Sequence, residues 1–381
     1  MKPKHTAIVG GGPAGAALAI ALAGRGVRVT VLEAAPGPRA KVGECLPPDA
    51  AALLDRFGLK DGMLGDDHLL SYGNRSIWGS ALAEERDFLF GVYGPGWQLD
   101  RRKFELQLSE TAARAGVDWR YGHRLARLLR QESGWELTAR STGGDKTFRA
   151  DFVVDATGRP AWLARRLGAR QVRYDSLIAV VVSLESPPNA GSRDSYTLVE
   201  STASGWWYSA YLPNRTLTVL YFTDADLIDH KLIRRDDGWR KLLETTTHTR
   251  RRVNEAEGPL SCKTGIVSAN SARLDSVTGE GWLAVGDAAE AFDPLSSFGI
   301  TSALGSGFYA AHAIADYLAG SGEALDTYRA IMDESYAHYL RELSKQYRLE
   351  SRWPGEIFWQ RRSQSHPLNY DGGPLHQYGS Q

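Results

Sequence analysis

The sequence predicts an α/β fold in which a parallel sheet covered by helices is interrupted by an antiparallel sheet and followed by C-terminal helices. Three observations predict it. Thr6–Val9 is a short apolar run rich in β-branched residues, the turn Gly10-Gly11-Gly12-Pro13 follows, Ala14–Ala23 is a strong helix former closed by Gly24 and Gly26, and Val27–Leu32 is a second apolar run. That βαβ order implies parallel strands. The buried-strand pattern returns at Phe152–Val154 and Leu283–Val285. Between these, from Asp175 to about Thr223, apolar and polar residues alternate, as in an antiparallel sheet with one face open to a ligand.

The other elements follow in order. Arg39–Pro48 is irregular, Asp49–Phe57 reads as helix, Ser71–Trp78 as strand, and Asp100–Ala115 as an amphipathic helix stopped by Gly116. A small-residue helix is expected over Thr301–Leu318 and a Tyr-rich helix over Leu325–Trp353, before a loose tail with Gly372, Gly373, Pro374 and Gly379. Nucleotide-type elements thus occur at the start, the middle and near residue 287. This predicts a discontinuous nucleotide domain (1–70, 96–172 and 262–322), an inserted substrate domain (71–95 and 173–261) and a C-terminal helical segment and tail (323–381).

Composition narrows the function classes. The 381 residues are 43% apolar and 24% charged, and 45 Lys plus Arg balance 45 Asp plus Glu. Such a chain carries no global field that steers it to nucleic acid or to an anionic membrane. No apolar run approaches the roughly 20 residues that span a bilayer. The start, MKPKHTAIVGGG, lacks a signal peptide's apolar region and reads as an intact cytoplasmic N-terminus. Two cysteines, Cys45 and Cys262, write no disulfide framework. The nine histidines show no spacing typical of metal ligands, so no metal is expected.

The chemistry starts at Gly10-x-Gly12-x-x-Gly15, which follows a strand and opens a helix through Pro13 and Ala14. Gly10 allows the tight turn, Gly12 lets a pyrophosphate approach the backbone, and Gly15 lets helix and strand pack closely. The helix N-terminus faces the phosphates. Glu33 ends the next strand at roughly the 20-residue spacing of an acid that grips the ribose hydroxyls, with Ala34 beside it. Strand, turn, helix and acid together predict a Rossmann-type dinucleotide fold, without separating FAD from NAD.

Two later segments separate them. Asp155-Ala156-Thr157-Gly158 ends one strand, and Gly281-Trp282-Leu283-Ala284-Val285-Gly286-Asp287-Ala288-Ala289 ends another before a helix. This resembles the glutathione-reductase-type flavoproteins, in the branch of aromatic hydroxylases and flavin-dependent halogenases. The resemblance implies FAD, a PHBH-like arrangement, and a hydrogen bond from Asp287 to a ribityl hydroxyl. It also points the helix beginning near Gly299 and Ile300 at the flavin ring, where its N-terminus stabilises negative charge. Trp97-Gln98-Leu99-Asp100-Arg101-x-x-Phe104 resembles the family's segment whose Arg or Gln bonds FAD, which nominates Arg101. Leu125, Asp155 and Gly158 complete the expected contacts on that side.

Lys41-Val42-Gly43-Glu44-Cys45-Leu46-Pro47-Pro48 resembles the halogenase branch's "GE…P" segment beside the flavin, which adds Glu44. Asp293-Pro294-Leu295-Ser296-Ser297-Phe298-Gly299-Ile300 resembles its flavin-ring loop, which adds Pro294. Halogenase marks are missing: there is no tryptophan-x-tryptophan-x-isoleucine-proline motif, no lysine near Tyr72–Gly79, and Ser296 stands where tryptophan halogenases carry glutamate. Gly73-Asn74-Arg75-Ser76-Ile77-Trp78-Gly79, Gly205-Trp206-Trp207, Phe222-Thr223-Asp224-Ala225-Asp226-Leu227, and Arg352-Trp353-Pro354 with Phe358–Arg362 are similar to the flavoproteins that mature tryptophylquinone enzymes (LodB, GoxB and QhpG type).

The resemblance implies an FAD-dependent monooxygenase acting on an electron-rich ring, a tryptophan within a peptide or protein on its way to a quinone. The flavin's reductant, a flavin reductase or NAD(P)H, is left open. Asp49 and Asp293 are nominated to help remove the ring proton. Trp207, Tyr208 and Tyr211 are expected on an aromatic substrate face, with ordinary packing as the alternative. A halogenase, a small-molecule hydroxylase and a non-catalytic flavin-bearing chaperone stay as rivals. Cys45 reads as a small filler, with a flavin contact or covalent link as the alternative, Cys262 as core, and His68 as a surface-loop residue rather than one facing substrate. Arg234-Arg235, Arg250–Arg252 and Arg361-Arg362 read as solvated, or as a dock for an acidic partner.

Overall fold

A computed structural model describes residues 3–63, 67–88, 91–185, 194–213, 215–229, 236–256 and 265–364. The chain divides into two units. One comprises Met1–Leu70, Val92–Gln171 and Ala272–Glu334; the other Ser71–Gly91, Val172–Ser271 and Ser335–Gln381.

The first unit is built on a six-stranded sheet in the order Thr278–Gly279, Trp282–Ala284, Phe152–Asp155, His5–Val9, Arg28–Leu32, Asp118–Arg120. All its pairs are parallel except the Thr278–Gly279 edge. The central strands Phe152–Asp155, His5–Val9 and Arg28–Leu32 are buried on both faces, as parallel strands require, apart from Arg28 at the start of the last. The Pro13–Ala23 helix packs on the Gly299–Leu318 helix, and their alanines and glycines let the two backbones come close. A meander of Arg124–Gln131, Gly134–Ser141 and Gly144–Ala150 joins the same core through Trp135 and Leu137. A small sheet places Gly96–Leu99 between Cys45–Leu46 and His68–Ser71.

Several expected elements change shape. The helix expected over Asp49–Phe57 is a single turn at Pro48–Ala50 running into Ala51–Arg56, and the strand expected over Ser71–Trp78 lies at Gly73–Ile77. The C-terminal helix is Ala324–Leu349, followed by a short helix at Ile357–Gln364, because Pro354 and Gly355 interrupt the pattern.

The second unit carries a seven-stranded sheet in the order Gly265–Ser268, Leu177–Glu185, Thr216–Asp224, Gly205–Tyr211, Tyr196–Thr202, Gly73–Ile77, Glu84–Asp87. Side chains alternate between its faces. One face is closed by the Asp236–Leu243 and His248–Glu255 helices, with Trp239 and Leu243 packing with Val180, Val182, Trp207, Val219 and Tyr221 of the sheet. On the other, Trp206 stacks on Phe222 at 3.9 Å and its indole N–H donates to the Tyr347 hydroxyl.

The arginine runs are not simply solvated. Arg252 is buried, donating to the Ser209 and Tyr196 carbonyls and to Asp194. Arg361 and Arg362 grip Asp224 and Asp226 and tie the last helix to the sheet. Arg250 and Arg251 are exposed. Arg234, Arg235 and Cys262 lie outside the described residues.

Candidate functional site

The strand from His5 to Val9 delivers the chain to Gly10 at φ +112°, a conformation that favours glycine. A Cβ there would lie 2.1 Å from the Ala156 carbonyl oxygen, and one on Gly15 would lie 2.1 Å from the Gly10 carbonyl oxygen. Gly12, the N-cap of the Pro13–Ala23 helix, is different: a Cβ on it meets nothing within 4 Å. Two glycines are demanded by the chain itself, and the third faces open space at a helix N-terminus, where a pyrophosphate fits. Glu33 is held beside them, its carboxylate accepting from the Gly11 and Ala35 N–H groups at 2.7 Å each. Trp119 flanks the turn, with its indole N–H buried. Ala34 follows Glu33 half-buried; Leu125 is buried where the meander register skips Ala126.

Arg101 begins the Arg101–Arg114 helix immediately after the Gly96–Leu99 strand. Its guanidinium donates to the Val42 and Gly43 carbonyls (3.0 and 2.8 Å) and to Glu105 (2.7 Å), and Lys41 bonds the other Glu105 oxygen at 2.6 Å. The Lys41–Glu44 segment is thereby fastened to this helix. Arg101 Nε is buried with no protein partner, an orphaned donor in the place where a cofactor oxygen is expected. Glu44 lies under the same guanidinium, and burial pushes its carboxyl up to about 7 while Arg101 opposes the shift.

Asp287 follows the Trp282–Ala284 strand. A third of its side chain is reachable by solvent (35%), yet surrounding protein desolvates it and raises its pKa against the pull of Arg159 and Arg101. Both facts fit a group on the floor of a recess. Arg159, which sequence reasoning passed over, bridges Asp287 (3.5 Å) and the Phe292 carbonyl (2.9 Å). Its signal was its place directly after the Asp155–Gly158 run.

Asp155 is wholly buried. Its carboxylate accepts from the Thr157 N–H and hydroxyl and from the Leu163 and Ala164 N–H groups, at 2.7–2.9 Å. With four bonds to its carboxylate made inside the chain, its side chain shapes the turn at Gly158 (φ +74°). The Asp293 carboxylate accepts from the Leu295 N–H at 2.8 Å and holds the turn Pro294–Ser296 that leads into Gly299. Pro294 and Gly299 are exposed, Ile300 is buried, and the Thr301 hydroxyl is buried without a protein partner at the helix start. Asp49 is exposed, beyond the buried Glu44 and Leu46.

The aromatic face needs correction. Trp207, Tyr208 and Tyr211 were expected together, but the two-residue period separates them. Trp207 is 0% exposed, against Trp239 and Tyr221 on the helix-covered face, and Tyr211 joins that side under Arg252. Neither ring stands on an open face. Tyr208 points the opposite way, half-buried, in a row that pairs Ser76, Val199, Tyr208, Leu220 and Val181 across five strands. His68 is also buried, not a surface-loop residue. Among the described residues, no three His, Cys, Asp or Glu side chains gather as a metal site, and no helix is long and apolar enough to cross a membrane.

A parallel sheet with this glycine turn, an acid closing the second strand and a second strand-end aspartate defines a flavin-dependent oxidoreductase. The chain belongs to the family of the FAD binding domain, whose model matches residues 4–340. It is similar to the FAD-dependent oxidoreductase LodB of Marinomonas mediterranea, 30% identical over 95% of this chain and 97% of that one. Among solved structures it resembles the myxobacterial halogenase CndH (TM-score 0.84, 24% identity, 94% of this chain and 86% of that one). It also resembles the peptidyl tryptophan dihydroxylase QhpG, described as essential for tryptophylquinone cofactor biogenesis (TM-score 0.79, 25% identity, 94% and 78%).

Proposed function

We propose that this protein is a monooxygenase that hydroxylates a tryptophan side chain held in a peptide or protein, as a step toward a quinone cofactor. The observation that carries the reading is the likeness to LodB along nearly the whole of both chains, joined by the likeness to QhpG, a peptidyl tryptophan dihydroxylase. Bound FAD, reduced by a separate flavin reductase or by NAD(P)H, supplies electrophilic oxygen from O2.

The chain's own residues bind and orient. Gly12 and the helix N-terminus receive the pyrophosphate, Glu33 the ribose, Arg101 Nε and Asp287 the central part of the cofactor. The N–H groups at Gly299 and Ile300 face the ring. An indole is electron-rich, so attack on oxygen needs no strong base. Asp293 at the start of the ring loop, or Asp49, takes the ring proton afterwards. The half-open row around Tyr208 supports an aromatic guest better than Trp207, whose ring is already packed.

The test is mass spectrometry of reactions with free tryptophan, a tryptophan-containing peptide and a partner protein, each with reduced FAD, O2 and bromide. Gain of one or two oxygen atoms in the peptide or protein, with free tryptophan slower, is the expected result. Faster reaction with free tryptophan points to a small-molecule hydroxylase. A brominated product makes the protein a halogenase, and no product with any substrate favours the chaperone reading.

A further inference from the structure

The Arg101 side chain is placed by the first turn of its helix, and that turn is held by a buried histidine. His68 is 5% exposed, edge-on to Phe104 at 6.3 Å. Its Nδ1 lies 3.1 Å from the Asp100 backbone N–H and its Nε2 lies 3.4 Å from Gln107 Oε1. The orientation of Gln107 is fixed independently, because its amide nitrogen donates to the Gly62 carbonyl at 3.1 Å. Oε1 therefore faces the ring as an acceptor, Nε2 carries the hydrogen, and Nδ1 is left as a bare acceptor for the Asp100 N–H. Asp100 in turn caps the helix, its carboxylate accepting from Arg102 and Lys103.

We propose that His68 is a positioning residue for FAD: its neutral Nδ1 holds Asp100, and through the first helical turn it holds Arg101 against the cofactor. This rests on the reading of Arg101 as an FAD ligand. A proton on Nδ1 would set two donors face to face and release the turn, so tight binding requires the neutral ring.

The charged groups around the ring are Asp67 and Asp100, which favour the cation, and Lys103, which opposes it; Asp67 and Lys103 are themselves paired at 2.5 Å. Burial outweighs the carboxylates and holds the His68 pKa below its ordinary 6.5. A depressed histidine contributes its stabilising bond above the ordinary range and loses it as pH falls through the folded value. FAD retention through His68 is therefore present at neutral pH and lost on acidification.

The experiment uses the full chain stripped of FAD. FAD affinity is titrated by flavin fluorescence from about pH 8 to about pH 5, and amide hydrogen exchange of residues 100–103 is followed in the apoprotein. His68→Asn puts an amide oxygen where Nδ1 stands and cannot titrate; His68→Gln places its amide near Nε2 and leaves Asp100 without an acceptor. The asparagine variant should keep neutral-pH affinity and lose the acid-side weakening. The glutamine variant should bind about tenfold more weakly at all pH values and exchange the Asp100 amide faster, the size expected for one buried donor left unpaired.

Glu44 titrates in the same window, but it does so alike in wild type and His68→Asn, so the difference between their profiles isolates His68. Identical profiles for these two proteins overturn the proposal, as does unchanged exchange in His68→Gln. If the glutamine variant does not fold, the asparagine comparison decides alone. Arg101→Ala binding FAD like wild type overturns the Arg101 reading separately.

Discussion

At Gly12 an added side chain enters empty space, while at Gly15 it strikes the Gly10 carbonyl oxygen at 2.1 Å. Gly12→Val should therefore fold with near wild-type thermal stability as apoprotein and emerge colourless, since it blocks only the ligand's approach. Gly15→Val should lose stability with or without FAD. A yellow Gly12→Val protein would show that the phosphates lie elsewhere. Trp207 makes the complementary case. Fully buried on the closed face, it should cost about 3–5 kcal/mol when cut to alanine, read by denaturant unfolding. Tyr208→Ala, on the half-open row, should cost far less stability and raise KM for a tryptophan peptide. Equal stability losses for the two variants would contradict the face assignment.

The elements that carry these residues are held by polar bonds the sequence pattern does not announce. Glu200, buried on the Tyr196–Thr202 strand, accepts from the N–H groups of Thr247, His248 and Thr249 and from the Thr249 hydroxyl. A carboxylate from a strand thus caps the His248–Glu255 helix and fixes it over Trp207. Glu200→Ala strips the partners from three N–H groups at once, with an expected loss of about 2–4 kcal/mol. Faster hydrogen exchange should appear first in residues 247–250. Uniform exchange across the second unit would mean that the cap is not what holds the helix.

Global stability should carry the mark of one more buried acid. Both Glu290 side-chain oxygens are buried without a protein hydrogen bond, near Arg273, Asp333 and Tyr328. Burial pushes its carboxyl from an ordinary 4.5 up to about 8. The folded state thus keeps a proton that the unfolded chain releases. Stability from this group is full below the unfolded value, falls as pH rises, and levels off above the folded one. Glu290→Gln, unable to ionise, should show a flatter dependence of unfolding free energy between about pH 5 and about pH 8. Parallel slopes for wild type and variant would show that Glu290 is already ionised in the fold.

The nucleotide fold was legible in the sequence because its constraints are local: a strand, a glycine turn and a helix within twenty-odd residues, with an acid at the end of the next strand. The strand and turn leading to Asp287 and the turn Pro294–Ser296 before the Gly299–Leu318 helix were legible for the same reason, each a short run with a characteristic order. The alternating strands were legible as strands, but not the destination of each face. Whether Trp207 or Tyr208 points to open space depends on which face receives the two helices, and alternation alone is symmetric between faces. That the Asp155 side chain is taken up by the Leu163 and Ala164 N–H groups could not be read from its run either. His68 and Glu200 left no spacing to read, because their partners lie 32 to 49 residues away. The sequence by itself determined that a dinucleotide is bound, since backbone geometry within one turn dictates it, while FAD in particular followed from the resemblance of the later segments. Only the tertiary structure decided which polar groups remain free for a ligand, because a hydrogen bond already made inside the fold cannot be seen from either partner alone.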